Sequence, residues 1–345
     1  IFTAGGTESV NLAIFGVARY YGSPTSIAGS PTSRGHLITS KIEHHAVLHS
    51  MEALTKEGFE VTELDVDEYG LVDPEDVRKA LRPDTLLVSI MYANNEIGTI
   101  EPIEEIAKVI KEYREEKKKD STNNLQPTTY NLPYFMTDAC QASGSLDMDV
   151  QKLGVDLLAF NGSKIYGPKG VGALYKKSSV RLKPLIYGGG QENQMRSGTE
   201  NVPGIIGLAK ALELAQSEKE KENARLTELR DYFTERLLTK IPKVVLNGHP
   251  TRRLPNNINV SVLDIEGEAV ILYLDSHGIY ISTGSACTST TLDPSHVILA
   301  LGRPYEYAHG SLRFTLGKRT TKEDLDYVME VFPGIVEKLR AISPV

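Results

Sequence analysis

Short apolar runs alternate with stretches of helical periodicity through the first half of the chain, and this alternation constrains the fold more than any other feature. Residues 36–40 (HLITS), 85–92 (TLLVSIMY), 134–137 (YFMT), 155–160 (VDLLAF) and 171–175 (VGALY) read as buried strands. Between them Ile103, Ile106, Ile110 and Tyr113 repeat at helical spacing. Strands that alternate with helices build a mostly parallel sheet. Pro203 opens a long helical pattern that turns highly charged from Glu218 to Asn223, which marks a connector between two domains, 1–218 and 219–345. The second domain carries strand patterns at 257–262, 279–282 and 311–316, and helical ones at 268–274, 296–301 and 321–339, a smaller α+β unit. A chain of 345 residues has room for both. It opens at Ile1-Phe2-Thr3, in what reads as the tail of a strand, so a preceding N-terminal piece is expected.

Charge and cysteine content exclude several classes. Acidic residues outnumber basic ones, 45 to 38, giving a formal net charge of −7, which disfavours a large nucleic-acid footprint. No uncharged apolar run reaches the roughly 18 residues of a membrane span. Two cysteines, Cys140 and Cys287, make neither a disulfide framework nor a four-thiolate zinc site, so the expected setting is a reducing cytoplasm and no metal is expected. The charge run at 114–120 reads as a solvated helix end.

In open α/β sheets ligands gather beyond the carboxyl ends of the strands, so the polar residues that follow the apolar runs are the candidates for chemistry. Gly5-Gly6-Thr7-Glu8-Ser9 precedes a helical pattern and serves equally well as a plain turn capped by Thr7 or as an anion cradle at a helix N-terminus. The segment 161–170 (NGSKIYGPKG) lacks the glycine spacing of a P-loop; what it offers is Lys164 directly after a buried strand. A desolvated lysine amine attacks aldehydes, although a lysine at a strand end is more commonly just surface. Asp138 ends the YFMT strand, where an aspartate ordinarily caps a turn. An aspartate near such a lysine also meets the need of pyridoxal phosphate for a partner at its pyridine nitrogen, with the glycine turn for its phosphate and His44 against its ring. Cys287 lies among small polar residues (STGSACTST), a setting for an exposed, reactive thiol, whereas Cys140 between Ala139 and Gln141 suits a small packing residue.

Together the stretches TAGGTESVNLAI, ITSKIEHHAV, MYANNEIGTIEPI, TDACQASG, NGSKIYGPKGVGALY, GGGQENQMRSGTEN, STGSACTSTTLDPSHV and HGSLRFTLGK resemble the cysteine desulfurases, the class V aminotransferase group of fold-type I pyridoxal-phosphate enzymes. The resemblance runs essentially from end to end, and the GSAC segment is similar to the NifS/IscS branch. It implies an α/β fold with a large, mostly parallel seven-stranded sheet domain and a small C-terminal α+β domain. It implies that Lys164 holds pyridoxal 5'-phosphate covalently and shuttles protons, that Asp138 pairs the pyridine nitrogen and Gln141 the phenolic oxygen, and that His44 stacks on the ring. Gly6 and Thr7 would bind phosphate, with Asn161 and Ser163 near it, and Thr199 would reach the phosphate of the other subunit of a homodimer. Asn95, beside the cofactor, and Arg313 would hold the carboxylate of L-cysteine, and Cys287 would take the sulfur as a persulfide, release alanine and pass the sulfur to an iron–sulfur scaffold or a sulfur-carrier protein.

Some positions depart from the family pattern. Ser163 stands where a histidine usually precedes the lysine, and Asn161 where a serine is usual. The family's N-terminal arm precedes the region matched by Ile1, and without it turnover is expected to suffer more than cofactor binding. Lys164 and Asp138 would serve a selenocysteine lyase or another class V aminotransferase-type enzyme equally, although a plain aminotransferase needs no thiol. A catalytically impaired scaffold subunit fits Ser163 and the absent arm; the intact Lys164, Asp138, Gln141, Arg313 and Cys287 oppose that alternative.

Overall fold

The computed structural model describes residues 1–22, 33–120, 132–284 and 294–342. The chain forms two compact units: residues 1–65, 72–93 and 101–217 build the first, and residues 66–71, 94–100 and 218–345 the second.

The first unit runs β1 (Phe2–Thr3), α1 (Gly6–Tyr21), β2 (His36–Ser40), α2 (His45–Lys56), β3 (Glu60–Leu64), α3 (Pro74–Ala80), β4 (Thr85–Ser89), α4 (Ile103–Asp120), β5 (Tyr134–Asp138), α5 (Val150–Leu153), β6 (Leu157–Asn161) and β7 (Gly172–Lys176). Helix α6 (Val202–Lys240) follows, and the boundary between the units falls within it. The seven strands lie in the order β1-β7-β6-β5-β4-β2-β3. From β6 to β3 all neighbours are parallel, whereas β7 runs antiparallel to β6 and β1 antiparallel to β7. β2, β4 and β5 are buried along their whole length, as expected where helices cover a parallel sheet. Val10, Ile14 and Val17 of α1 and Val47, Met51 and Leu54 of α2 pack with strand residues Leu37, Leu87, Met136 and Leu157 in one apolar core.

The expected buried strands form, and the Ile1-Phe2-Thr3 segment pairs with β7 through Phe2↔Ala173 and Thr3↔Gly172. The 155–160 strand begins two residues late because Asp156 does another job. Its carboxylate accepts from Phe135 N at 2.9 Å and pairs with Arg114 and with Lys177, so it fixes the start of β5 rather than a ladder position in β6. β3 has no apolar run (EVTEL) because it is an edge strand with only Leu64 fully buried.

In the second unit β8 (Val244–Leu246), β9 (Asn257–Val262) and β10 (Ser311–Thr315) form an antiparallel sheet in the order β10-β9-β8. α7 (Gly267–Asp275), α8 (His296–Ala300), α9 (Tyr305–His309) and α10 (Lys322–Ile342) complete it. Phe233 of α6, Phe314 of β10 and Phe332 of α10 stack edge to face at 5.1 and 6.0 Å in its core. The strand expected at 279–282 reduces to a single bridge, Ser282 with Arg313. Among the described residues no helix is long and apolar enough to cross a membrane.

His36, the first residue of β2, ties three strands together. It is fully buried, with Nδ1 at 2.9 Å from Thr85 Oγ1 and Nε2 at 2.8 Å from Thr62 Oγ1. Burial, with Arg82 nearby, lowers its pKa to about 4. The unfolded chain takes up this proton near the ordinary value of about 6.5, and the fold resists it down to about 4. The stability that the neutral ring contributes is therefore present above pH 6.5 and lost progressively as the pH falls towards 4. We expect His36→Gln to flatten the pH dependence of denaturant-induced unfolding across that window; an unchanged slope would contradict the assignment.

Candidate active site

In the first unit the site is built where β5 and β6 end and α1 begins. Gly5, in extended conformation, is the N-cap of α1 and makes no side-chain cap, so Thr7 lies inside the first turn rather than capping it. A 16-residue helix thus starts with amide donors that no side chain closes off, the arrangement that receives an anion. The start of this helix sits directly on the sheet: a Cβ on Gly6 would fall 2.5 Å from Cys140 Sγ and 3.2 Å from Asn161 Nδ2. Only glycine fits there.

Asp138, the last residue of β5, is 8% exposed, and its Oδ1 accepts from Cys140 N at 2.9 Å. The thiol of Cys140 lies against Gly6 and hydrogen-bonds with Asp138; burial first, then the Asp138 charge, pushes its pKa well up. Cys140 is therefore a neutral packing thiol. Gln141 follows in the same turn, half-buried.

Asn161 ends β6, and Gly162–Lys164 form one 3₁₀ turn immediately after it. The turn is tight because Gly162 packs on the Pro168 carbonyl, where a Cβ would come within 2.6 Å. Asn161 Oδ1 is buried without a hydrogen-bond partner among the described residues, the state of an amide that awaits a ligand. Ser163 and Lys164 are exposed. The Lys164 charge is nonetheless felt by both His44 and Cys140, so the ammonium belongs to this cluster.

His44 is the N-cap of α2, and its Nδ1 accepts from Ala46 N at 3.1 Å. That bond leaves the proton of the neutral ring on Nε2. Burial lowers the pKa of His44, against the pull of Asp138 and with the help of Lys164. Glu43, just before it, is fully buried and accepts from Ser40 Oγ at 3.0 Å and from Met91 N at 2.7 Å. Burial holds its carboxyl well above the usual range. Thr7 and Thr199 are exposed on this unit.

Asn95 and Arg313 both belong to the second unit, where Arg313 donates through Nη1 to the Asn95 carbonyl at 2.7 Å and through Nε to Ser282 Oγ at 3.1 Å. Cys287 lies outside the described residues. Among the described residues no group of three or more His, Cys, Asp or Glu side chains could hold a metal. The Gly6–Cys140 contact leaves no signal in the sequence; for Glu43 the signal is a carboxylate at a strand end, directly before the candidate histidine.

Pyridoxal phosphate fits these residues. An uncapped helix start and an unmet Asn161 amide suit its phosphate, a buried carboxylate suits a protonated pyridine nitrogen, and a lysine follows within one turn of β6.

The sequence profile of the family described as aminotransferase class-V matches residues 1–121 and 128–328. A cysteine desulfurase IscS of Dictyoglomus turgidum is 54% identical over 344 residues, which covers 100% of this chain and 80% of that protein. A cysteine desulfurase IscS of Methanosarcina thermophila is 53% identical, over 99% of this chain and 78% of that one. Among solved structures, a NifS-like protein superposes with a TM-score of 0.83 at 35% identity, covering 99% of this chain and 82% of its own. The chain belongs to the aminotransferase class-V family and, within it, to the cysteine desulfurases of the NifS/IscS branch. Its cofactor is pyridoxal 5'-phosphate and its reaction is the desulfuration of L-cysteine.

The Gly6 contact yields a direct test. An alanine inside a helix is ordinarily better than glycine by about 1 kcal/mol, but here the methyl group would collide with Cys140 Sγ at 2.5 Å. We expect Gly6→Ala to weaken cofactor retention at least tenfold, measured by cofactor absorbance after dialysis. Adding Cys140→Gly should restore most of it, because that change empties the space the methyl needs.

Proposed function

We propose that Lys164, Asp138 and His44 carry the chemistry of the cysteine desulfurase reaction and that Cys287 receives the sulfur. The observation that carries this reading is that Asp138 and Asn161 end two adjacent parallel strands, with Lys164 in the turn directly after Asn161, while Asn161 and Cys140, whose N–H donates to Asp138, meet the glycine start of α1.

Pyridoxal phosphate, when bound, supplies an electron-withdrawing ring that acidifies the substrate Cα–H. Lys164 would hold the cofactor through its amine and would move the proton at the substrate Cα. Asp138 keeps the pyridine nitrogen protonated, and its burial sharpens that interaction. His44 lies against the ring and remains neutral because burial lowers its pKa. Gln141 donates to the phenolic oxygen. Gly6 and Thr7 hold the phosphate, with Asn161 and Ser163 beside it; Ser163 supplies a hydroxyl donor without a positive charge. Asn95 and Arg313, both of the second unit, orient the substrate carboxylate, and the planar guanidinium fork suits its two oxygens.

The thiolate of Cys287 attacks the sulfur of the substrate. The Cβ–S bond breaks, its electron pair returns to the amino-acid fragment, an S–S bond forms on the enzyme, and the proton from the Cys287 thiol ends in alanine. Cysteine and enzyme thiol thus become alanine and enzyme persulfide. The sulfur then passes to an acceptor, which we take to be an iron–sulfur scaffold or a sulfur-carrier protein in a reducing cytoplasm. The working form is a homodimer in which Thr199 reaches the phosphate of the partner. Exposed Ile186, Tyr187, Val202 and Ile206, which flank Thr199 in sequence, support a covered face there, as does exposed Tyr166.

Cys287→Ala should keep the cofactor absorbance and lose alanine release by at least a hundredfold, whereas Lys164→Ala should lose covalent retention of the cofactor. Alanine and sulfide are measured with L-cysteine and added reductant. Parental turnover by Cys287→Ala would overturn the sulfur-transfer role.

A further inference from the structure

The loop 94–100 belongs to the second unit and is buried except at Asn95 and Ile100, which are half-buried. A buried loop is tolerable only when its backbone polar groups find partners, and here each carbonyl from Asn95 to Thr99 has a donor. The Asn95 carbonyl accepts from Arg313 Nη1 at 2.7 Å, and that of Glu96 from Asn257 Nδ2 at 3.0 Å and Asn259 Nδ2 at 3.2 Å. The Ile97 carbonyl accepts from Arg253 Nη2 at 3.0 Å, that of Gly98 from Leu254 N at 2.8 Å, and that of Thr99 from Asn94 N at 2.8 Å. The residue assigned to the substrate is thus a half-buried point in a loop that is otherwise pinned.

Most of this pinning leads back to Arg253, in the connection between β8 and β9, which is 5% exposed. Besides Ile97, its Nη2 donates to Asn257 Oδ1 at 3.4 Å, its Nε to the Asn257 carbonyl at 3.2 Å, and its Nη1 to the carbonyls of Asn247 at 3.2 Å and His249 at 3.4 Å. With Oδ1 turned to the guanidinium, the Asn257 amide must present Nδ2 on its other side, where it meets the Glu96 carbonyl. Asn259 is set in the same sense, because its Oδ1 accepts from Asn247 Nδ2 at 2.8 Å. One guanidinium therefore grips Ile97 directly and Glu96 through oriented asparagine amides. We infer that Arg253 is a positioning residue for substrate recognition: through the 94–100 loop it fixes the Asn95 carbonyl, which in turn orients the Arg313 guanidinium for the substrate carboxylate.

The chemistry of the two arginines supports this division of labour. Arg313 donates through Nε to Ser282 Oγ as well as through Nη1 to Asn95, so the plane of its fork is set by two contacts, and bidentate recognition of a carboxylate depends on that plane. Arg253 is the opposite case, a buried cation whose hydrogen bonds go to neutral carbonyl oxygens. Burial, with Arg230 nearby, lowers its pKa only to about 10, so it stays charged at neutral pH. A buried charge is costly unless its hydrogen bonds compensate for it. A lysine, with its single compact ammonium, cannot serve acceptors on both edges of a planar fork.

The inference rests on the reading that Arg313 holds the substrate carboxylate, and the test separates the two. Binding of L-alanine and of L-alaninamide, which lacks the carboxylate charge, is followed on purified holoenzyme by the change in cofactor absorbance. Arg253→Lys should weaken L-alanine at least tenfold while L-alaninamide stays within threefold. It should also raise KM for L-cysteine at least tenfold with kcat within threefold, as expected when uniform binding of the carboxylate is lost. Asn257→Asp keeps an acceptor for Arg253 but removes a donor to the Glu96 carbonyl, and should weaken L-alanine at least threefold with L-alaninamide unchanged. Parental preference for L-alanine over L-alaninamide in Arg253→Lys would overturn the inference. So would equal weakening of both ligands, because Arg253 would then be a packing residue only. Should Arg253→Lys yield no holoenzyme, Asn257→Asp decides by the same two criteria. Parental preference in Arg313→Met would instead remove the reading on which the inference rests.

Discussion

The seat of α1 on the ends of β5 and β6 is the contact on which the first unit's chemistry depends. Gly6 meets Cys140 and Asn161 so closely that no side chain separates the helix start from the sheet. The contact brings three sources of electrostatic order within one small volume. The helix offers uncapped amides, β5 ends in a buried carboxylate, and β6 runs straight into the turn that bears Lys164. Each alone is commonplace in an α/β protein. Their juxtaposition follows from strand order, because β5 and β6 are parallel neighbours and both point their carboxyl ends at the same side.

The neutral groups around this cluster matter as much as the charged ones. Cys140 and Glu43 are both driven towards their protonated forms by burial. They surround Asp138 without placing a second negative charge next to it. His44 is held neutral as well, and the N-cap bond to Ala46 fixes its tautomer. The result is a site whose net charge is governed by Asp138 and Lys164, as an electron-withdrawing cofactor requires.

The sequence made the parallel core of the sheet and the strand-end residues legible because burial on both faces leaves continuous apolar runs. It concealed β3, whose EVTEL reads as polar because an edge strand faces solvent, and β8, whose three residues are too few for a pattern. At 279–282 the alternation looked like a strand, but only Ser282 finds a partner. The roles proposed for Lys164, Asp138 and Arg313 rest chiefly on long motif stretches, since any one of these residues has an ordinary explanation by itself. The Gly6–Cys140 contact was not legible, because it is a close approach between segments far apart in the chain and leaves no periodic signature.

The interleaved make-up of the second unit bears on how it comes into being. Residues 94–100, with Asn95 and Glu96, leave the ribosome well before β10 supplies Arg313. The guanidinium that binds the Asn95 carbonyl therefore arrives last, at an acceptor made more than two hundred residues earlier. A fragment starting at Glu218 would have its own strands and helices but would lack the Asn95 carbonyl that receives Arg313. Formation of the Asn95–Arg313 pair is thus a late event in biosynthesis, and a chain cut short before β10 lacks it.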